Sequence, residues 1–136
     1  MRILRLIVGL LIGLALGALL NGLIITLGLE VFPLPKGVNF ETAEGKHNFQ
    51  YLKPLHFLFP FLAHALGTFF GVLISLFISK RFRLFLTFII STLFFLGGLS
   101  MVLSLDAPQW FNLTDLTLAY FPMGFMAYRM KRARKA

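Results

Sequence analysis

Asp115 and His64 each stand in a long run of apolar residues, and with Asn21 they are among the most polar side chains of those runs. A carboxyl and an imidazole at similar depth in an apolar medium can exchange a proton or hold a ligand by hydrogen bonds. Such groups are costly there unless they face one another or a cavity. Thr68, one helical turn beyond His64, and Tyr120, close to Asp115, are the side chains able to support such a pair. Two roles are open for an Asn21, His64, Asp115 cluster: a polar clasp that fixes helix register, or a proton- or ligand-binding site that opens outward. Variants separate them. At a functional site His64→Ala and Asp115→Asn abolish activity and leave assembly intact, whereas at a clasp both variants lose expression or assembly.

Other chemistry is poorly supplied. The chain has no Cys, which removes disulfides, thiolate metal sites and cysteine nucleophiles together. His47 and His56 complete its three imidazoles, without a His-Glu-x-x-His spacing or a Cys pair beside them, so the expectation is no metal and no cofactor. With no nucleophile beside the His64/Asp115 pair, the chain reads as a non-enzyme more than as an enzyme.

The elements that must position these residues are membrane helices. Hydrophobic residues make up 58% of 136 positions, charged residues 13%, and Phe alone occurs seventeen times. That composition belongs to the membrane class, and the length allows one unit without a second globular domain. Uncharged runs predict helices over about 4–29, 54–79, 83–105 and 108–129, with an outer loop over 30–53. The fourth is conditional, because the stretch free of charge from Leu116 to Tyr128 covers only about 20 Å at the helical rise. If it spans, Asp115 lies inside the membrane or at its edge.

Charge sorting sets the expected orientation. With the N-terminus in the cytoplasm, Arg2, Arg5, Lys80, Arg81, Arg83, Arg129, Lys131, Arg132, Arg134 and Lys135 lie inside, where they meet lipid headgroups. Only Lys36, Lys46 and Lys53 are then outside, along with Glu30, Glu41, Glu44 and Asp106. The fold class that follows is an all-α membrane protein, a left-handed antiparallel bundle of four transmembrane helices with both termini cytoplasmic. The formal net charge of +8 therefore marks topology and not a nucleic-acid surface. A cleaved signal peptide is disfavoured, because the first apolar run is longer than an ordinary signal core.

The connections differ in kind. Lys80-Arg81-Phe82-Arg83 makes helices two and three antiparallel neighbours, and Asp106-Ala107-Pro108-Gln109-Trp110 forms a second tight hairpin. Asp106 suits a helix N-cap and Pro108 a first turn. In the outer loop, Thr42 to Leu52 fits a short amphipathic helix capped by Asn39 or Thr42, laying Phe40, Phe49, Tyr51 and Leu52 on the membrane surface. Asn112-Leu113-Thr114 has the form of a glycosylation site but lies too near the bilayer to serve as one.

Small residues mark the contact faces. Gly9, Gly13, Gly17 and Asn21 recur every four residues, and Pro60, His64, Gly67, Gly71 and Ser75 form a matching stripe on the second helix. These faces are expected to meet within the chain. The third helix offers Ser91, Gly97, Gly98 and Ser104, and the fourth Asn112, Asp115, Ala119, Pro122 and Met126. Pro60 and Pro122 predict kinks. Counted from the outer ends of their helices, Asn21, His64 and Asp115 share a layer about 10 to 15 Å deep.

The stretch from Lys53 to Gly71, together with Pro108 to Asp115, resembles small bacterial four-helix membrane proteins with no established activity. The resemblance implies the fold and an inner-membrane location, and carries no site residue with it. Small multidrug transporters are similar in size, but their essential first-helix glutamate has no counterpart here. Fluoride channels are similarly small and Phe-rich, and their glycine-arginine signature and threonine-rich turn are missing.

The expected function is that of an accessory or scaffolding subunit in the lipid bilayer, which binds other membrane proteins or itself through helix faces and the outer loop. The alternative is a small oligomeric transporter or channel that uses the outward cluster at His64 and Asp115.

Overall fold

The structure, a computed structural model, describes residues 1–133, so the basic residues Arg134 and Lys135 lie outside the described residues. It is helical throughout: α1 (Arg2–Val31), α2 (Ala43–His47), α3 (Leu58–Ile78), α4 (Arg83–Ser104), α5 (Gln109–Leu118) and α6 (Phe121–Ala133), with 3-10 turns at Asn48–Tyr51 and Pro54–Phe57. No strand occurs among the described residues. Three stretches are long and apolar enough to cross a membrane, Arg2–Val31, Pro54–Ile78 and Arg83–Ser104.

α1 and α3 run in opposite directions and approach backbone to backbone. A Cβ placed on Gly13 would stand 2.5 Å from the Gly71 carbonyl oxygen, and one on Gly17 would stand 2.6 Å from that of Gly67. Further along the same seam Gly9 meets Ser75 and Ser79, and Gly28 meets the Phe59 ring. The two stripes of small residues therefore face each other. Without an apolar driving force between helices in lipid, this close approach supplies the dispersion contact that holds them.

α3 turns into α4 through Ser79–Phe82. Phe82 adopts a left-handed conformation with φ 57°, and the Ser79 hydroxyl donates to the Arg81 carbonyl at 3.0 Å. A left-handed aromatic residue costs about 1 kcal/mol, which the tight reversal requires. α4 then runs back beside α6: Ser91 lies against Gly124, and Gly98 against the Tyr120 ring.

The two prolines start helices instead of bending them. Pro60 lies in the first turn of α3, where its missing N–H has no helical acceptor to lose. Pro122 is the second residue of α6. Its lack of an N–H and the clash of its ring with the Leu118 carbonyl stop α5 there, leaving a turn at Ala119–Tyr120. This break shifts the inward stripe of the fourth segment. Asp115 and Ala119 are buried as expected, but beyond the turn Tyr120, Gly124 and Ala127 face inward, while Pro122 and Met126 are exposed.

Charge separates to opposite ends. The start of α1, the α3–α4 turn and the end of α6 lie together, with Arg2 near Arg81 and Phe82, and the Lys131 ammonium 3.1 Å from the centre of the Phe77 ring. Glu30, the segment with Glu41 and Glu44, and Asp106 mark the other end. Near the basic end a dry core of Val72, Leu76, Leu86, Ile90 and Ala127 fills the space between helices. Near the acidic end the core is aromatic, built from Phe49, Leu52, Phe57 and Phe111.

Candidate functional site

His64 projects from α3, two turns into the helix, and Asp115 from α5. Nδ1 of His64 lies 2.9 and 2.8 Å from the two Asp115 carboxyl oxygens. The Tyr120 hydroxyl, placed by the turn that Pro122 imposes, donates to Asp115 Oδ2 at 2.9 Å. The kinship of these groups depends on that break: a continuous helix would carry Tyr120 round to another face. Its ring packs against His64, Phe95 and Gly98.

Of the five side chains expected to cluster, the structure joins His64, Asp115 and Tyr120. Tyr120 bonds the carboxyl directly. Thr68 is buried next to them but donates to the His64 carbonyl at 2.8 Å, closing its own helical turn. Asn21 packs over Gly67, and no hydrogen bond ties it to the pair. It stands on the α1–α3 seam.

The pair differs in access. Asp115 has 2% of its side chain exposed and His64 has 13%. Both residues line the same space, and the imidazole is the more accessible of the two. That space is a cavity of about 90 Å³ between the acidic ends of α1, α3, α4 and α5, with His64, Asp115 and Asn112 at its floor. Its walls are mostly apolar, with Ile25 and Leu29 of α1 and Met101 and Val102 of α4, and among the described residues no Lys or Arg lines it. Below the cavity α1 and α4 meet, at Gly13 with Ile90 and Gly17 with Phe94.

The segment between α1 and α3 roofs the cavity. Thr42 caps α2 by accepting a hydrogen bond from Gly45 N–H at 3.0 Å, while Asn39 Oδ1 accepts from the backbone N–H groups of Glu41 and Thr42. These bonds bend the chain so that Phe49 and Leu52 turn inward. The expected helix over 42–52 is therefore a five-residue helix continued by a 3-10 turn, and only Phe40 and Tyr51 of its apolar face are exposed. Phe49 and Leu52 are buried on Phe57 and Phe111 instead of lying on a membrane surface.

A latch fixes this roof to the α4–α5 connection. His47 Nδ1 lies 2.6 Å from Asp106 Oδ2, Gln50 donates to His47 Nε2 at 3.1 Å, and Asp106 N–H donates to the Lys46 carbonyl at 3.3 Å. Asp106 is thus not the cap of the following helix, whose N-cap is Pro108. Neutral His47 with its proton on Nδ1 satisfies both side-chain partners. With 60% and 62% of the two side chains exposed, the pair contributes at most about 1 kcal/mol.

The spacing of His47 and Asp106 gave no sequence signal, since 59 residues separate them. The cavity itself was hinted at only by the density of Phe between Phe32 and Phe61. Among the described residues no third His, Asp or Glu joins His64 and Asp115 to hold a metal ion. The arrangement can donate or accept hydrogen bonds at one imidazole within an apolar chamber, and it lacks a nucleophile placed for covalent chemistry. Comparison with family models, with characterised proteins and with solved structures finds no match to the chain.

Proposed function

We propose that this chain is a four-span protein of the bacterial inner membrane, with both termini in the cytoplasm, acting as an accessory subunit that binds another membrane component in its outward cavity. α5 and α6 end to end cover about 35 Å at the helical rise, against a hydrocarbon core of about 30 Å, so together they serve as the fourth span. The basic end then lies in the cytoplasm, in keeping with the positive-inside rule.

One observation carries the binding role: an apolar chamber with the His64–Asp115 pair at its floor and a pinned aromatic roof above it. A polar group in such a place is expensive unless a partner meets it. Transport across the membrane is the weaker reading, because between Tyr120 and the basic end Val72, Leu76, Leu86 and Ile90 pack around separate hydroxyls such as Ser75, Thr87 and Ser91, with no Asp, Glu or His among the described residues there. The test is purification in mild detergent with identification of what co-purifies, protein and lipid, together with native mass. The expected result is a bound membrane component that Val102→Trp, a plug in the cavity wall, displaces. A bare monomer with an empty cavity contradicts the proposal.

A further inference from the structure

The unused nitrogen of His64 carries the inference. Nδ1 is committed to Asp115, and Asp115 also accepts from Tyr120. Nε2 has no partner among the described residues, and it is not one of the side-chain atoms sealed away without a partner. It belongs to a residue that lines the cavity, together with His56 and Asn112, so it is one polar atom a visitor would meet, and the one tied to the buried acid.

We take the pair as neutral overall. An apolar chamber in a membrane disfavours net charge on its floor. The pair is neutral overall in two ways, as imidazolium with carboxylate or as imidazole with carboxylic acid. In the first, Nδ1–H donates to Asp115 and Nε2 also bears a proton. In the second, the acid donates to Nδ1, and the one ring proton again sits on Nε2. Either way the cavity is presented with an N–H donor.

A donor needs an acceptor, and the walls decide which kind. An anionic head would meet the Asp115 carboxyl without any Lys or Arg to offset it. A cation would meet a carboxyl that is already occupied on both oxygens. A neutral carbonyl oxygen fits both constraints. The volume of about 90 Å³ is smaller than the roughly 150 Å³ cavity that takes benzene, so it admits a head of a few heavy atoms while a chain trails out between α1 and α4.

We propose that the cavity binds a neutral, membrane-soluble molecule through a carbonyl oxygen that accepts a hydrogen bond from His64 Nε2. An acyl ester and an alkylated quinone both present that chemistry. The inference rests on the cavity being the binding site, and the test separates the two ideas.

The protein labelled with nitrogen-15 at histidine, held in an alkyl maltoside that carries no carbonyl, is titrated with methyl laurate, tetradecane, decylbenzoquinone, decylbenzene and dodecylammonium. The expected result is a shift of the His64 Nε2 resonance with methyl laurate or decylbenzoquinone, and binding about tenfold tighter than for the matched hydrocarbon, the value of one hydrogen bond to a desolvated donor. Whichever of those two binds tighter identifies the source as ester or quinone. Val102→Trp should abolish the shift. Hydrocarbon binding as tightly as its carbonyl partner, or dodecylammonium binding tightest, overturns the carbonyl assignment while leaving the cavity as a site if Val102→Trp still blocks it. Binding of all five probes that Val102→Trp does not alter, or no binding of any, overturns the assignment along with the cavity itself.

Discussion

The two ends of this molecule are built on opposite principles. At the basic end α1 and α3 touch backbone to backbone at Gly13 and Gly71, and aliphatic side chains of α3, α4 and α6 fill what remains. At the acidic end α1 and α4 stand apart, aromatic rings line the gap, and His64, Asp115 and Tyr120 beneath it are tied to one another. A glycine seam gives rigidity because nothing in it can rearrange. A chamber of rings under a weakly latched roof can admit a visitor, so the closed half serves as the frame for the open one.

The sharpest way to break the contrast is to enlarge a residue in each half. Gly13→Leu forces a side chain against the Gly71 carbonyl and Ser75, and should cost about 3 kcal/mol or more, read as unfolding in a detergent titration. Gly22 has open space around its Cα, so Gly22→Leu should leave the midpoint unchanged or raise it slightly. If both variants behave alike, the seam does not hold the frame.

Next in size is the polar floor. Asp115→Leu leaves His64 Nδ1 and the Tyr120 hydroxyl without their acceptor, and should cost about 2 kcal/mol. Asp115→Asn keeps an acceptor oxygen for one of them and should lose less than about 1 kcal/mol. Equal losses in the two variants would make burial, and not hydrogen bonding, the role of the carboxyl.

Smallest is the roof. His47→Ala removes an exposed pair and should cost no more than about 0.5 kcal/mol, yet amide exchange across Ala43–Tyr51 should quicken several-fold as the latch opens. Unchanged exchange would mean that Phe49 and Leu52 alone hold the segment down.

How much of this was legible follows the same division. The helices and the glycine seam could be read from sequence, because small residues every four positions and uncharged runs are one-dimensional signals of helix contact and span. The pairing of His64 with Asp115 was legible through depth alone. Asn21 was misplaced by that argument, since equal depth says nothing about the angle round the helix axis. The break at Ala119–Tyr120 was read as a kink at Pro122, and the shifted stripe with it, because the consequence of a proline depends on whether the chain continues or restarts. The roof was the least legible: the partners of His47 and Phe49 lie far along the chain, and an alternation of polar and aromatic residues fits a membrane surface as well as a lid.

The central proposal, that the cavity over His64 opens to the outside while the opposite half is sealed, has a direct test. The chain has no cysteine, so single cysteines can be placed at Val102 on the cavity wall and at Leu76 in the dry core, and treated in intact cells with a thiol reagent that does not cross membranes. The expected outcome is labelling at 102 from outside, slowed by a molecule bound in the cavity, and none at 76 from either side. Labelling at 76 from outside, or none at 102 while the protein is folded and inserted, would contradict the account.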